Sequence, residues 1–197
     1  MALKTREKLV EVARQLFARK GVEHTTMNDI ASASEKGRRT VYTYFKNKRE
    51  IYNAVIEKES DNLVLKLKNI ANENISPIKK LEKFLITRLE STNDTVSRYD
   101  SLRSFLVGDF KKIERVRKLA TNKEIGILRD ILNEGVEKGV FIKEQTERLT
   151  TILIVILQGV DLTFLKNEQN NILENNQEKI QNSVIKFIIN GITTKII

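Results

Sequence analysis

Gly37-Arg38-Arg39-Thr40-Val41-Tyr42-Thr43-Tyr44-Phe45-Lys46-Asn47-Lys48 is the stretch on which the reading of this chain turns. It joins a helix of little more than one turn to side chains suited to gripping DNA. Arg38 and Arg39 can reach base edges, while Thr40, Tyr42, Tyr44 and Lys48 can hold phosphates. Two helical patterns precede it. In the first, over about residues 5–20, Leu9, Ala13, Leu16 and Phe17 fall at i, i+4, i+7 and i+8, a single apolar stripe. Gly21 stands just past Lys20, where glycine stops helices. Thr26 with Asp29 three residues on forms a capping box that opens the second helix, and Ile30, Ala31 and Ala33 give it a small packing face. The quoted stretch supplies a third helix over about 37–45, with Val41 and Phe45 inward. Helix, helix, tight turn, helix is the helix-turn-helix layout, whose last helix enters the major groove.

Downstream the chain continues as helix. Asn47 and Glu50 repeat the capping logic for a fourth helix to about residue 71, marked by Ile51, Val55, Leu63, Leu67 and Ile70. Its roughly 24 residues reach ~36 Å and link the N-terminal unit to everything that follows. Ser76-Pro77 makes a fresh start, Ser as N-cap and Pro at the first helical position, for a helix carrying Leu81, Phe84, Leu85 and Leu89. A weaker helix is expected over 96–107. Asp109 then caps a long one to about Lys138, ended by Gly139-Val140-Phe141. Thr146 opens a helix with Leu149, Ile152, Leu153, Ile156, Leu157, Val160 and Phe164. The Asn/Gln/Glu-rich segment from Asn167 to Gln177 reads as a loop. A last helix over about 178–195 carries Ile180, Val184, Phe187, Ile188 and Ile192. With one proline, eight glycines and almost no β-branched alternation, the fold class is all-α.

Composition narrows the function. At 197 residues with 40% apolar and 31% charged residues, the chain can bury a core in one or two domains. It holds no cysteine, which excludes disulfides and thiolate metal sites. The N-terminus lacks the apolar region of a signal peptide, and the longest apolar run, Ile152 to Leu157, is far below the ~20 residues that span a bilayer. A soluble, cytoplasmic protein is expected, with no membrane partner. Net charge is +9; residues 1–60 hold 13 Lys plus Arg against 8 Asp plus Glu, a balance of +5. Basic excess concentrated there suits polyanions, because neutralised phosphates release counterions.

Arg at the start of the third helix suits guanine O6 and N7 through two parallel hydrogen bonds. Thr43, on its outward face, is placed for a thymine methyl or a phosphate. Tyr44 lies nearer the Val41/Phe45 face and is open to a core role. Thr26 is open to either capping or phosphate contact, and Lys36 adds a phosphate contact if the turn faces DNA. His24 is the only histidine. With no second histidine and no cysteine, no metal site, cofactor or catalytic residue is expected, and the chain does not read as an enzyme. The helix opened by Thr146 is apolar on more than one face and the last helix on nearly half its positions. One face of each would lie exposed in a monomer, which marks an interface. Ile156, Gly159, Val160, Val184, Ile188 and Gly191 are its candidates.

The N-terminal pattern resembles the DNA-binding domain of the TetR family of transcriptional regulators. The matching residues are Ala13, Leu16-Phe17, Gly21, Thr25-Thr26, Ile30-Ala31, Thr40, Tyr42, Tyr44-Phe45 and Asn47-Lys48, within Arg6 to Ile51. The family usually has Ala-Gly-Val in the turn where this chain has Ser34-Glu35-Lys36. Glycine adopts positive φ freely. Glu35 either takes that conformation at a cost of roughly 1 kcal/mol or lets the turn shift toward Gly37. The resemblance implies a helix-turn-helix domain over 1–50 and a ligand-binding and dimerisation domain over 51–197, the helix from about 48 linking them. It implies a homodimer on a palindromic operator in double-stranded DNA, and a small-molecule effector in a pocket of the second domain. Polar residues inside apolar stretches, Arg88, Gln158 and Asp161, are the pocket candidates, with Phe84, Phe105, Phe110 and Phe164 for its walls, though each phenylalanine also suits plain core. The leading reading is therefore a ligand-released repressor. An architectural DNA-binding protein without an effector, or a protein whose C-terminal apolar faces bind another polypeptide, are the alternatives.

Overall fold

Leu9, Ala13, Leu16 and Phe17 are all buried, as the stripe requires, in helix α1 (Ala2–Lys20). The structure is a computed structural model that describes residues 2–99, 110–143, 146–166 and 177–194. After α1 come α2 (Met27–Ala33), α3 (Arg38–Tyr44), α4 (Lys48–Ala71), α5 (Pro77–Tyr99), α6 (Phe110–Glu137), α7 (Thr146–Lys166) and α8 (Gln177–Ile192). Among the described residues all regular structure is helical apart from one antiparallel bridge, Phe141 to Thr193. No described helix is long and apolar enough to cross a membrane. The expected helix over 96–107 begins inside α5, and its remainder lies outside the described residues, as does Asp109. The segment expected as a loop, 167–176, lies outside them too.

The helices pack as two units. Met1–Asn62 with Ser97–Leu119 form the first, and Leu63–Val96 with Ala120–Ile197 the second, so α4, α5 and α6 each contribute to both. In the first unit the α1 stripe meets Val22, Ile30, Ala31, Val41, Phe45, Ile51, Tyr52 and Val55. The Phe17 and Tyr52 rings lie 6.1 Å apart and tilted by 60°, an edge-to-face type of contact. Glu11 accepts from Arg14 on its own helix and fastens α1 to α4 by accepting from Lys58 at 2.9 Å. The hydrogen bond from Arg14, with that from Lys58, holds its carboxyl down at about 2.

The turns are local chemistry. Gly21, at φ 80, ends α1 and donates to the Phe17 carbonyl. Thr26 and Asp29 form the full capping box at α2. At the other end of α2, Glu35 takes φ 55. Its N–H donates to the Ser32 carbonyl and that of Lys36 to the Ala31 carbonyl, the paired bonds of a left-handed helix stop. Of the two possibilities left by the sequence, the chain adopts the first: Glu35 stands where glycine is easiest, and Gly37 is extended at φ −60, ψ 143. The Glu35 carboxylate meets Lys8 of α1 at 3.3 Å, an exposed pair that contributes little.

In the second unit Leu67, Leu81, Phe84, Leu85, Leu89, Leu128, Ile131, Leu132, Phe141, Leu153, Leu157 and Ile188 share one core. Ser76 caps α5, its hydroxyl accepting from the Lys79 N–H at 3.4 Å. Gly139, at φ 68, stops α6 with bonds from its own N–H to Val136 and from Val140 to Gly135. The chain then turns back so that the Phe141 ring covers Gly135. The Ile142 N–H donates to Ile192 and the Thr194 N–H to Val140, fastening this link to the end of α8. That bridge explains why α8 stops at Ile192, short of the expected Lys195.

Two substitutions test these turns. Glu35→Gly should raise the melting temperature by an amount worth some tenths to about 1 kcal/mol, since it relieves a left-handed L-residue; an unchanged or lower value would show that Glu35 is not strained. Gly135→Ala should destabilise by about 1–3 kcal/mol, because a Cβ there falls inside the Phe141 ring. Gly126→Ala, with nothing within 4 Å of the new Cβ, should instead stabilise α6 by up to about 1 kcal/mol in the same melts.

Candidate nucleic-acid interface

On α3, Val41 and the adjoining Phe45 are buried and Tyr44 packs half-buried against the same core. The 100° step of a helix then turns Arg38, Arg39, Tyr42 and Thr43 outward together, and all four are exposed. Thr40 lies half-buried between the faces. Gly37 caps α3 without a side chain; its carbonyl accepts from Thr40 and Val41. The Arg38 guanidinium carbon sits 5.7 Å from the Tyr42 ring centroid, over its face. Thr43 donates its hydroxyl proton to the Arg39 carbonyl at 3.0 Å, so its oxygen is left to accept and its proton is engaged.

The flanking candidates divide. Thr26 is used as the cap: its hydroxyl accepts from the Asp29 N–H at 3.1 Å, and Asp29 accepts from the Thr26 N–H at 2.7 Å. Asp29 also takes a hydrogen bond from Lys20, and these donors, Lys20 first, hold its carboxyl at about 2. The positive end of α2 therefore already has a carboxylate on it. Lys36 is half-buried, its N–H committed to the helix stop. Lys48 donates its ammonium to the carbonyls of Val22 at 2.7 Å and Glu23 at 3.1 Å. Burial pushes its pKa down. A phosphate contact from Lys48 requires the ammonium to leave those carbonyls, so here the side chain ties the start of α4 to the α1–α2 link. His24 is exposed.

Two contacts join α1 to the motif that the sequence reading did not find. Besides Lys8–Glu35, the Arg6 guanidinium lies 5.3 Å from the Phe45 centroid. The signal was present: Arg6 and Lys8 lie on the α1 turn just before Leu9, where long side chains reach back over a packed neighbour.

In the second unit the pocket candidates do not come together among the described side chains. Phe84 is fully buried core, and Gln158 is exposed. Phe105 lies outside the described residues, as do the side chains of Phe110, Asp161 and Phe164. Arg88 instead donates from Nε to the buried Glu124 at 2.7 Å, a tie between α5 and α6. Lys80, also buried, meets Glu134 at 2.7 Å, and hydrogen bonds from Lys138 and Lys80 hold that carboxyl below its usual range. Glu124 was missed, yet its spacing to Leu128, Ile131 and Gly135 puts it on the apolar stripe of α6.

Of the interface candidates, Ile188 is buried in its own chain, Ile156, Val160 and Val184 pack half-buried against that core, and Gly159 and Gly191 are exposed. Among the described side chains of α7 and α8, the large apolar ones left outside are Ile152, Val155 and Phe187, at 46%, 61% and 76% exposure. Periodicity favoured the inward stripe. The exposed residues are found by asking which apolar side chains fall off it, as Phe187 does from Gln181–Ile185–Ile188–Ile192.

Comparison with known proteins bears on this geometry. Residues 9–55 match the model of the family described as bacterial regulatory proteins, tetR family. Over 90 residues the chain is 36% identical to the probable acrEF/envCD operon repressor of Escherichia coli K12, covering 45% of this chain and 41% of that one. It therefore spans well under half the length of that relative. The uncharacterized HTH-type transcriptional regulator YfiR of Bacillus subtilis is 28% identical over 152 residues, 76% of this chain and 73% of its own. The crystal structure of a transcriptional regulator from Cytophaga hutchinsonii agrees with a TM-score of 0.85 at 26% identity, covering 95% of this chain and 98% of that one. The matched segment is the trihelical unit that carries the outward face of α3, and the likeness extends through the second unit. The N-terminal unit is thus that of the tetR family of bacterial regulatory proteins, and the chain as a whole is similar to bacterial transcriptional regulators.

Proposed function

We propose that this protein is a cytoplasmic transcriptional repressor that binds a palindromic operator as a homodimer and leaves it when a small molecule binds the second unit. The observation that carries the DNA-binding part is the outward set Arg38, Arg39, Tyr42 and Thr43 on a helix whose other side is core. Arginine donors there suit guanine, and the tyrosine hydroxyl suits a phosphate oxygen. Tyr44 and Thr40 border that face, and Thr26, Lys36 and Lys48 serve chiefly to hold the motif's geometry.

Dimerisation draws support from Val155 and Phe187, large apolar side chains left exposed on α7 and α8. Gly159 and Gly191 lie exposed on the same two helices and would admit close approach. The effector part rests on the family resemblance and on α4, whose residues belong to both units. A mostly apolar effector that lowers DNA affinity 100-fold must bind the released state better by ~2.7 kcal/mol, and operator DNA must weaken effector binding by the same factor.

Footprinting should show an inverted repeat whose half-site centres lie about 34–36 Å apart or a multiple of that. Arg39→Ala should cost about 1–3 kcal/mol on that site and relax preference at one base pair. Uniform weakening on every duplex would instead make Arg39 a phosphate contact. Val155→Glu and Phe187→Glu should halve the mass in solution and abolish the footprint with little change in melting temperature. A monomeric variant that still protected both half-sites at wild-type concentration would remove the dimer from the mechanism.

A further inference from the structure

Arg38 and Tyr42 stand four residues apart on the exposed face of α3, one above the other, with the guanidinium carbon over the ring at 5.7 Å from its centroid. A guanidinium held over a ring is attracted to it through its charge. Its N–H donors lie at its edge, and it is the edge that meets guanine O6 and N7. The attraction to the ring leaves those donors free to act, so ring contact and base reading can occur together. An exposed arginine loses much rotamer freedom when it is fixed on a base, and a ring that has already fixed it removes part of that loss. The Tyr42 hydroxyl lies at the far end of the ring and stays available to a phosphate.

We propose that Tyr42 is a positioning residue for Arg38: its ring holds the guanidinium in the orientation that reads a guanine, so that preference at one base pair belongs to the pair and not to Arg38 alone. This rests on the DNA-binding reading above and adds a division of labour to it. The ring of Tyr42 sets selectivity and its hydroxyl sets affinity.

The full-length protein is first used to select from a random-sequence duplex library. Binding is then measured on the enriched duplex and on every single-base-pair variant of it. The proteins compared are the wild type, Tyr42→Phe, Tyr42→Leu, Arg38→Ala and the Arg38→Ala/Tyr42→Leu double variant. Because both side chains are exposed, the melting temperatures should agree. Arg38→Ala should flatten preference at one base pair, where the wild type discriminates by roughly 5- to 100-fold. Tyr42→Phe should keep the whole profile while binding every duplex a similar factor more weakly. Tyr42→Leu should flatten the same base pair as Arg38→Ala, and the double variant should be no flatter there than Arg38→Ala. Tyr42→Leu leaving that base pair as steep as in the wild type, or flattening a different one, overturns the proposal, as does Arg38→Ala that flattens none. A wild type that enriches no sequence overturns the operator reading, and the pair's role with it.

Discussion

The left-handed residue between α2 and α3 is the constraint on which the placement of the outward face of α3 depends. Glu35 at φ 55 closes α2 and leaves Gly37 extended, so α3 begins at Arg38. Had the reversal moved two residues on to Gly37, the outward set would have rotated about 200° around the helix axis, since each residue turns it by ~100°. Thr43 would then take the core position of Val41, and Val41 the exposed position of Arg39. The strain at one exposed glutamate is small beside the cost of taking Val41 out of the core and burying a hydroxyl in its place. That asymmetry holds the turn in place. Lys48 and Arg6 secure the same arrangement from either side, one on the carbonyls that precede α2 and the other over Phe45.

The features read correctly from sequence are those decided by neighbours within about four residues. The α1 stripe, the stop at Gly21, the box at Thr26 and Asp29, the Ser76-Pro77 start and the stop at Gly139 each need only local hydrogen bonds and helix periodicity. The inward pair Val41 and Phe45 follows from the same period, as does the half-buried Tyr44. What escaped is long-range. That Lys48 spends its ammonium on carbonyls 25 and 26 residues away depends on how the first unit closes. That α8 ends at Ile192 depends on a bridge to Phe141. In both cases the residue type was noted and its partner was not, because helical spacing says which face a side chain is on and nothing about what covers it.

Arg88 shows the same gap in another form. A polar residue inside an apolar stretch suggests a site for a foreign ligand, but a charge buried on a facing helix answers the same need. Arg88 finds Glu124, and Lys80 finds Glu134. Such pairs add little net stability relative to well-packed apolar residues, yet removing one partner strands the other. Their effect is therefore to set how α5 and α6 line up, since a slip of one turn would leave two buried charges unmatched.

Gly135 and Phe141 carry a consequence for how the family's sequences drift. The ring fills the space a side chain at 135 would need, so the two positions form one volume shared between two codons. A lineage cannot enlarge residue 135 first and adjust later; the aromatic must shrink before the glycine is free. Substitutions accepted elsewhere on α6 can arrive in any order, whereas here history is directional. Relatives that carry a larger residue at this point of α6 should carry a smaller one after the following turn.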